Sequence, residues 1–93
     1  MKIPKKLRID GENWIVLKNK NLIRNESARG MITYDKKLIQ LDSNSSRTAT
    51  SLLHECIHAI DNNAALDLSE EQVKRLAHGI YAIIRDNKLN FNE

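Results

Sequence analysis

The apolar pattern of the sequence changes near residue 42, and this change most limits what the chain can fold into. Before that point, short β-leaning segments alternate with turn signals. Beyond it, apolar residues recur at the three- and four-residue spacing of helices. Strands that precede helices, rather than alternating with them, favour the α+β class. With 93 residues, no repeat and no low-complexity segment, residues 1–93 are predicted to form one small domain.

Two hairpins are predicted in the first part of the chain. Asp10-Gly11 separates two β-leaning runs, which is a strong hairpin signal. Asp35, Lys36 and Lys37 mark the turn of a second hairpin, and the polar stretch between the hairpins, closed by Gly30, is predicted to be a loop. The strands are expected to form a small antiparallel sheet packed on the helices. They are predicted at residues 6–9, 14–18, 31–34 and 38–41.

Two helices are predicted in the second part. The first spans about residues 46–62, and its core-facing stripe is predicted to be Leu53, Ile57, Ile60 and Ala64. The second is capped by Asp67 or Ser69 and extends to about residue 87. Its predicted core-facing stripe contains Val73, Leu76, Ala77, Ile80, Ile83 and Ile84.

Charge and cysteine content narrow the class of protein. Residues 1–24 carry seven Lys and Arg against two acids, a net +5 that leaves −2 for the rest of the +3 chain. We interpret this basic third as a solvated surface rather than a nucleic-acid site, because no nucleic-acid motif accompanies it. Cys56 is the only cysteine, so no internal disulfide is expected. No apolar run approaches the roughly 20 residues of a membrane span, and the N-terminus lacks the apolar core of a signal peptide. A soluble cytoplasmic protein is predicted.

The motif His54-Glu55-Cys56-Ile57-His58 predicts a metal site. Residues four apart lie on one face of a helix, so His54 and His58 can direct two imidazoles at one point. Zn²⁺ accepts neutral imidazole nitrogen in a tetrahedral shell. Glu55 is 100° further round the helix, beside the metal rather than on it, where a general base for a zinc-bound water is needed.

The third ligand is expected downstream of the motif. The downstream candidates are Asp61, Asp67, Glu70, Glu71 and His78. Helical angles place Glu70 at the edge of the buried stripe of the second helix and direct Glu71 and His78 outward, so Glu70 is the predicted ligand. The alternative for Glu70 is a capping role, since Asp67-x-x-Glu70 resembles a capping box.

Asp61 and Cys56 lie close to the motif but are not predicted as ligands. Asp61 is three residues past His58, where it either orients a histidine or is simply a solvated acid. Cys56 faces away from the metal and is interpreted as a small, partly buried hydrophobe.

The segment "LLHECIHAID" followed by "LSEEQVKRLAHGIYAIIRDN" resembles the minimal gluzincins of phages and prophages, related to ImmA/IrrE-type zinc metallopeptidases. The resemblance covers roughly residues 28–87. It implies that His54, His58 and Glu70 bind Zn²⁺ and that Glu55 is the catalytic base. It also implies a minimal zincin-like fold and a regulatory protein of a mobile element as substrate, in the host cytoplasm if the gene belongs to a phage. Longer members carry additional helices or a fused DNA-binding domain, and the acid that follows the ligand glutamate by four residues in thermolysin-like enzymes corresponds here to Lys74.

Three functions remain as hypotheses. The first is a zinc metalloendopeptidase that hydrolyses peptide bonds in a peptide or protein substrate laid along strand 38–41, expected to be a sheet edge. The second is a non-catalytic, zinc-stabilised module that binds a partner protein; Glu55 argues against it, because a structural metal needs no base. The third is a nucleic-acid binder.

Tyr34 and Tyr81 are candidates for stabilising an oxyanion by residue type alone. Tyr81 is about three turns from Glu70, which is too far for this role.

Overall fold

The computed structural model describes residues 3–22, 30–44 and 46–89, and the predicted loop before Gly30 lies largely outside them. The described residues confirm the α+β class, and each predicted strand and helix is found with its ends within two residues of the expected positions. The elements are β1 (Lys6–Ile9), β2 (Glu12–Asn19), β3 (Gly30–Thr33), β4 (Leu38–Asp42), α1 (Thr48–Ala64) and α2 (Glu70–Asn87).

The first hairpin turns at the predicted dipeptide. Asp10 and Gly11 have φ values of 53° and 81°. Positive φ at both central residues matches the right-handed twist of the flanking strands, and Asp-Gly tolerates it well. The strands then pair antiparallel, with Leu7 opposite Trp14.

The four strands form one sheet in the order β1-β2-β4-β3. Each hairpin is antiparallel as expected, but the hairpins join through a parallel pairing of β2 with β4, so the sheet is mixed rather than antiparallel throughout. β4 therefore lies inside the sheet, and the expectation that strand 38–41 forms an edge was wrong. The edge on that side is β3, because β4 uses both of its sides for pairing.

The main core lies between the sheet and α1. Trp14 and Val16 of β2 alternate with exposed residues, which is the pattern of a sheet covered on one face. Their side chains pack with those of β4 and α1. The buried cluster comprises Trp14, Val16, Ile39, Leu41, Leu52 and Ala59.

A second, smaller cluster joins the two helices and contains Ile57, Val73 and Ala77. The predicted stripe on α1 was therefore wrong for Ile60, which is 49% exposed, and for Ala64, which is also exposed. The sheet covers the side of α1 that carries Leu52 and Ala59 instead. Helical periodicity shows that a helix has an apolar stripe but does not show which turns of it find a partner.

The predicted stripe on α2 is buried only at Val73 and Ala77. Leu76, Ile80 and Ile83 are exposed, because α2 packs on α1 along a narrow line near its first half. In the part of the chain that the structure describes, neither helix is long and apolar enough to cross a membrane.

Candidate metal centre

His54 and His58 lie one turn apart in the middle of α1 and place their side chains on one face. Their Nε2 atoms are 3.2 Å apart, and each side chain is 21% exposed. The i, i+4 spacing makes this approach a local property of the helix. Both imidazoles are partly exposed, so an ion can reach them from solvent.

Glu70 completes a group of three donors. Its Oε1 lies 2.6 Å from Nε2 of His54, and its Oε2 lies 3.0 Å from Nε2 of His58. Glu71 instead forms an ion pair with Arg75 at 2.9 Å on the solvent side of α2. The structure thus brings together the three residues that the sequence selects as ligands and leaves Glu71 apart.

The connector between the helices determines where Glu70 lies. Ala65 ends α1 in the left-handed conformation, with φ 52°, and its backbone N–H donates to the carbonyl oxygen of Asp61. Asp61 also accepts a hydrogen bond from the backbone N–H of Leu68 at 3.1 Å through Oδ1. The role of Asp61 is therefore to hold the connector, and neither alternative from the sequence, a histidine partner or a solvated acid, describes it.

The start of α2 is held by a capping box between Ser69 and Gln72. The Ser69 hydroxyl accepts from the backbone N–H of Gln72, and the Gln72 side chain accepts from the backbone N–H of Ser69. Ser69, not Asp67, is thus the cap. Because Gln72 occupies the third helical position, the carboxylate of Glu70 is not used for capping and is available to the histidines.

The two imidazole nitrogens and the Glu70 carboxylate fit a tetrahedral metal. Ligand atoms at about 2.0–2.1 Å from Zn²⁺ in a tetrahedron are separated by about 3.3 Å. The imidazole nitrogens are 3.2 Å apart, and the two oxygens of Glu70 lie 2.6 and 3.0 Å from them, so small side-chain adjustments bring both nitrogens and one carboxylate oxygen to that value. Two neutral imidazoles and one carboxylate are also a donor set that leaves the fourth position open, which is the arrangement of catalytic zinc sites.

Glu55 lies beside this group and is the most buried of its acids. It is 6% exposed, and a carboxylate oxygen lies within 4.8 Å of the imidazole nitrogens. Both glutamates are therefore near the histidines, and the shorter contacts of Glu70 favour it as the ligand. Burial raises the pKa of Glu55 to about 7, and the neighbouring Glu70 carboxylate adds to the rise.

Gly30, the first residue of β3, forms the wall behind Glu55. A Cβ at position 30 would lie 2.8 Å from Oε2 of Glu55 and 3.3 Å from its Cγ, closer than side chains normally approach. The sequence suggested only a loop end at Gly30. Its second role depends on the packing of β3 against α1 and could not be found from local pattern.

Cys56 and Tyr34 lie near the centre without belonging to it. Cys56 is half-buried and packs against the main core, as predicted, and burial raises the pKa of its thiol to about 11, with a further contribution from Glu55. The Tyr34 hydroxyl donates a hydrogen bond to the carbonyl oxygen of His58 at 3.5 Å. The Tyr34 ring packs edge-on to the Trp14 ring. Burial raises the pKa of Tyr34, and the nearby carboxylates of Glu55, Asp61 and Glu70 raise it further.

An open cleft of about 420 Å³ adjoins two of the three donors, His54 and Glu70. His54 and Glu55 form its floor, while Glu70, Lys74 and His78 of α2 form one wall. His78 is exposed as expected, but its place in the lining of the cleft was not predicted. The signal was present in the i, i+4, i+8 spacing from Glu70, which places all three side chains along one side of the helix.

No protein-family model, no curated protein and no solved structure matches this chain.

Proposed function

We propose that this protein is a zinc metallopeptidase that hydrolyses peptide bonds, with His54, His58 and Glu70 as metal ligands and Glu55 as general base. The observation that carries the proposal is the different placement of the two glutamates. Glu70 lies 2.6 and 3.0 Å from the imidazole nitrogens on the open side, whereas Glu55 is buried beside them. A structural metal site requires the Glu70 carboxylate as a ligand but does not require a general base such as Glu55.

Each residue then has a defined task. His54, His58 and Glu70 hold the ion, which when bound lowers the pKa of water and polarises a carbonyl group. Glu55 accepts the proton of the attacking water and can donate it to the amine that leaves. Gly30 and the burial of Glu55 keep this carboxylate in one place. The resemblance in sequence suggests a regulatory protein of a mobile element as the natural substrate.

The free edge of β3 is the proposed docking place for the peptide. β3 pairs with β4 on one side, and its other side is the end of the sheet as described. Because Gly30 lies against Glu55, a peptide that adds to β3 as a further strand passes beside the cleft. Main-chain hydrogen bonds would then hold the substrate in extended form.

The decisive experiment compares wild type with Glu55→Gln on a library of unstructured peptides. Both proteins should retain one zinc per chain, because Glu55 is not a ligand in this scheme. Hydrolysis should fall at least about 100-fold in the variant, since general base catalysis is worth roughly 10²–10⁴ in rate. Cleavage that continues undiminished in Glu55→Gln would show that the base is elsewhere.

A non-catalytic, zinc-stabilised interaction module is the second candidate. The contact between the helices supports it, because the cluster of Ile57, Val73 and Ala77 is small and a metal bound by residues of both helices would strengthen it. Wild-type protein with full zinc and no cleavage of any peptide would favour this function over the peptidase.

A further inference from the structure

The wall that α2 contributes to the cleft changes from acidic to basic along its length. Glu70, Lys74 and His78 are spaced four residues apart, so successive side chains lie about 6 Å further along the helix axis. Glu70 is turned toward the imidazoles of His54 and His58. The next two turns of the same wall therefore present an ammonium group and an imidazole to whatever occupies the cleft.

Lys74 is available for a ligand. Its neighbour one turn earlier, Glu70, is already in contact with two histidines. The other acid in the first turn, Glu71, pairs with Arg75. Among the residues that the structure describes, no carboxylate lies within ion-pair distance of the Lys74 ammonium.

We propose that Lys74, together with His78, binds a carboxylate of the substrate, so that the cleft selects peptides with a negative charge close to the bond to be cleaved. An ammonium group is a strong donor to carboxylate, and a ring N–H of His78 can add a second hydrogen bond. The 6 Å between the turns of Glu70 and Lys74 equals about two residues of extended peptide. The charge is therefore expected within about two residues of the reacting bond.

The carboxylate can come from two sources, which are an internal Asp or Glu side chain and the free C-terminus of a short peptide. The first source means an endopeptidase with a preference for acidic sites, and the second means an enzyme that trims chain ends. Both place the same chemical group on Lys74. The inference rests on the proposed function only in treating the bound peptide as the substrate.

Peptide binding, measured apart from cleavage, tests this inference. The probes are three short peptides of the same neutral sequence: one amidated, one amidated with an internal glutamate, and one with a free C-terminal carboxylate. Dissociation constants are measured by NMR titration with zinc-loaded Glu55→Gln and with metal-free wild type. The metal-free protein removes any direct contact between the carboxylate and zinc.

Lys74→Gln is the test variant, and Lys36→Gln in the exposed β3–β4 turn is the matched control, since it removes the same charge outside the cleft. The two proteins without a substitution at Lys74 (zinc-loaded Glu55→Gln and metal-free wild type) and the Lys36→Gln control should bind at least one charged peptide about fivefold more tightly than the neutral one. This factor is typical of a partly exposed ion pair. The preference should disappear in Lys74→Gln and weaken at high salt. The charged peptide that shows this preference identifies the source of the carboxylate.

Three outcomes would each overturn the inference. They are a preference for the charged peptide that persists undiminished in Lys74→Gln, no such preference in the proteins that retain Lys74, and no binding of any peptide. Cleavage is scored separately with zinc-loaded wild type. Binding that depends on Lys74 without any hydrolysis would leave the carboxylate site standing and contradict the proposed peptidase. Hydrolysis that depends neither on the charge of the peptide nor on Lys74 would support the proposed peptidase and contradict the carboxylate site.

Discussion

Gly30 lies directly against the carboxylate of Glu55, so closely that a methyl group on Gly30 would stand 2.8 Å from Oε2. One residue begins an edge strand and the other lies in the middle of a helix. Their contact ties the position of the proposed base to the position of the strand proposed to bind substrate.

Gly30→Ala should displace the Glu55 carboxylate while leaving the fold and the metal ligands in place, because the atom in conflict is the end of a flexible side chain. We expect peptide hydrolysis to fall by roughly 10–100-fold, since a misplaced catalytic group costs up to about 10² in rate. Zinc content should not change. Steady-state kinetics and metal analysis measure the two quantities.

Gly79→Ala is the matched control for this substitution. A Cβ at Gly79 meets nothing within 4 Å, and the residue lies in the middle of α2. Alanine should stabilise the helix there by about 0.5–1 kcal/mol without changing activity. Full activity in Gly30→Ala would show that the contact with Glu55 has no role in catalysis.

His54→Ala and His58→Ala should each abolish tight zinc binding and lower the thermal stability of the zinc-loaded protein. Metal binding adds to the free energy of folding, so the loss should reproduce the effect of a chelator on wild type. Zinc content after dialysis and thermal unfolding with and without chelator test this. His78→Ala should keep the metal, because His78 lies two turns from Glu70. Full zinc retention in either of the first two variants would remove the site.

Glu70→Gln should weaken zinc binding strongly, whereas Glu71→Gln should not. Of these two glutamates, Glu70 contacts the imidazoles, while Glu71 is paired with Arg75 on the exposed side. Loss of the exposed pair should cost no more than about 0.5 kcal/mol. Competition titrations with a zinc chelator give both affinities. The opposite ranking would mean that α2 presents a different face to α1 in solution.

Glu55→Gln should make the metal-free protein more stable at neutral to basic pH. The pKa of Glu55 is about 7 when folded, against an ordinary value of 4.5, so the unfolded chain releases this proton at lower pH than the folded chain. The contribution of Glu55 to stability is thus fully present below pH 4.5 and is lost as the pH rises to about 7. Glutamine stays neutral throughout and should gain roughly 3 kcal/mol over wild type once the carboxylate is ionised.

Thermal or denaturant unfolding in chelator at about pH 5 and about pH 8 measures this difference, with most of the gain expected at the higher value. A gain of the same size at both pH values would show that burial of the Glu55 charge is not its cause.

Local patterns were sufficient for much of this protein. The Asp10-Gly11 turn, the approximate ends of the strands and helices, and the convergence of His54 and His58 depend on residues close together in the chain. Turn conformation and helical spacing act over a few residues, so the sequence alone carries that information. The choice of Glu70 over Glu71 followed from the same helical geometry.

Only the tertiary structure decided how these pieces meet. The parallel pairing of β2 with β4 placed strand 38–42 inside the sheet and left β3 at the edge, next to Glu55. The hydrogen bond from Leu68 to Asp61 and the capping box at Ser69 brought Glu70 to the histidines, and the narrow contact between α1 and α2 left Ile80 exposed and His78 beside the cleft. Strand order and helix packing depend on the total apolar area buried and the hydrogen bonds formed between segments that are distant in the chain. A local periodicity is compatible with several such arrangements and therefore does not distinguish them.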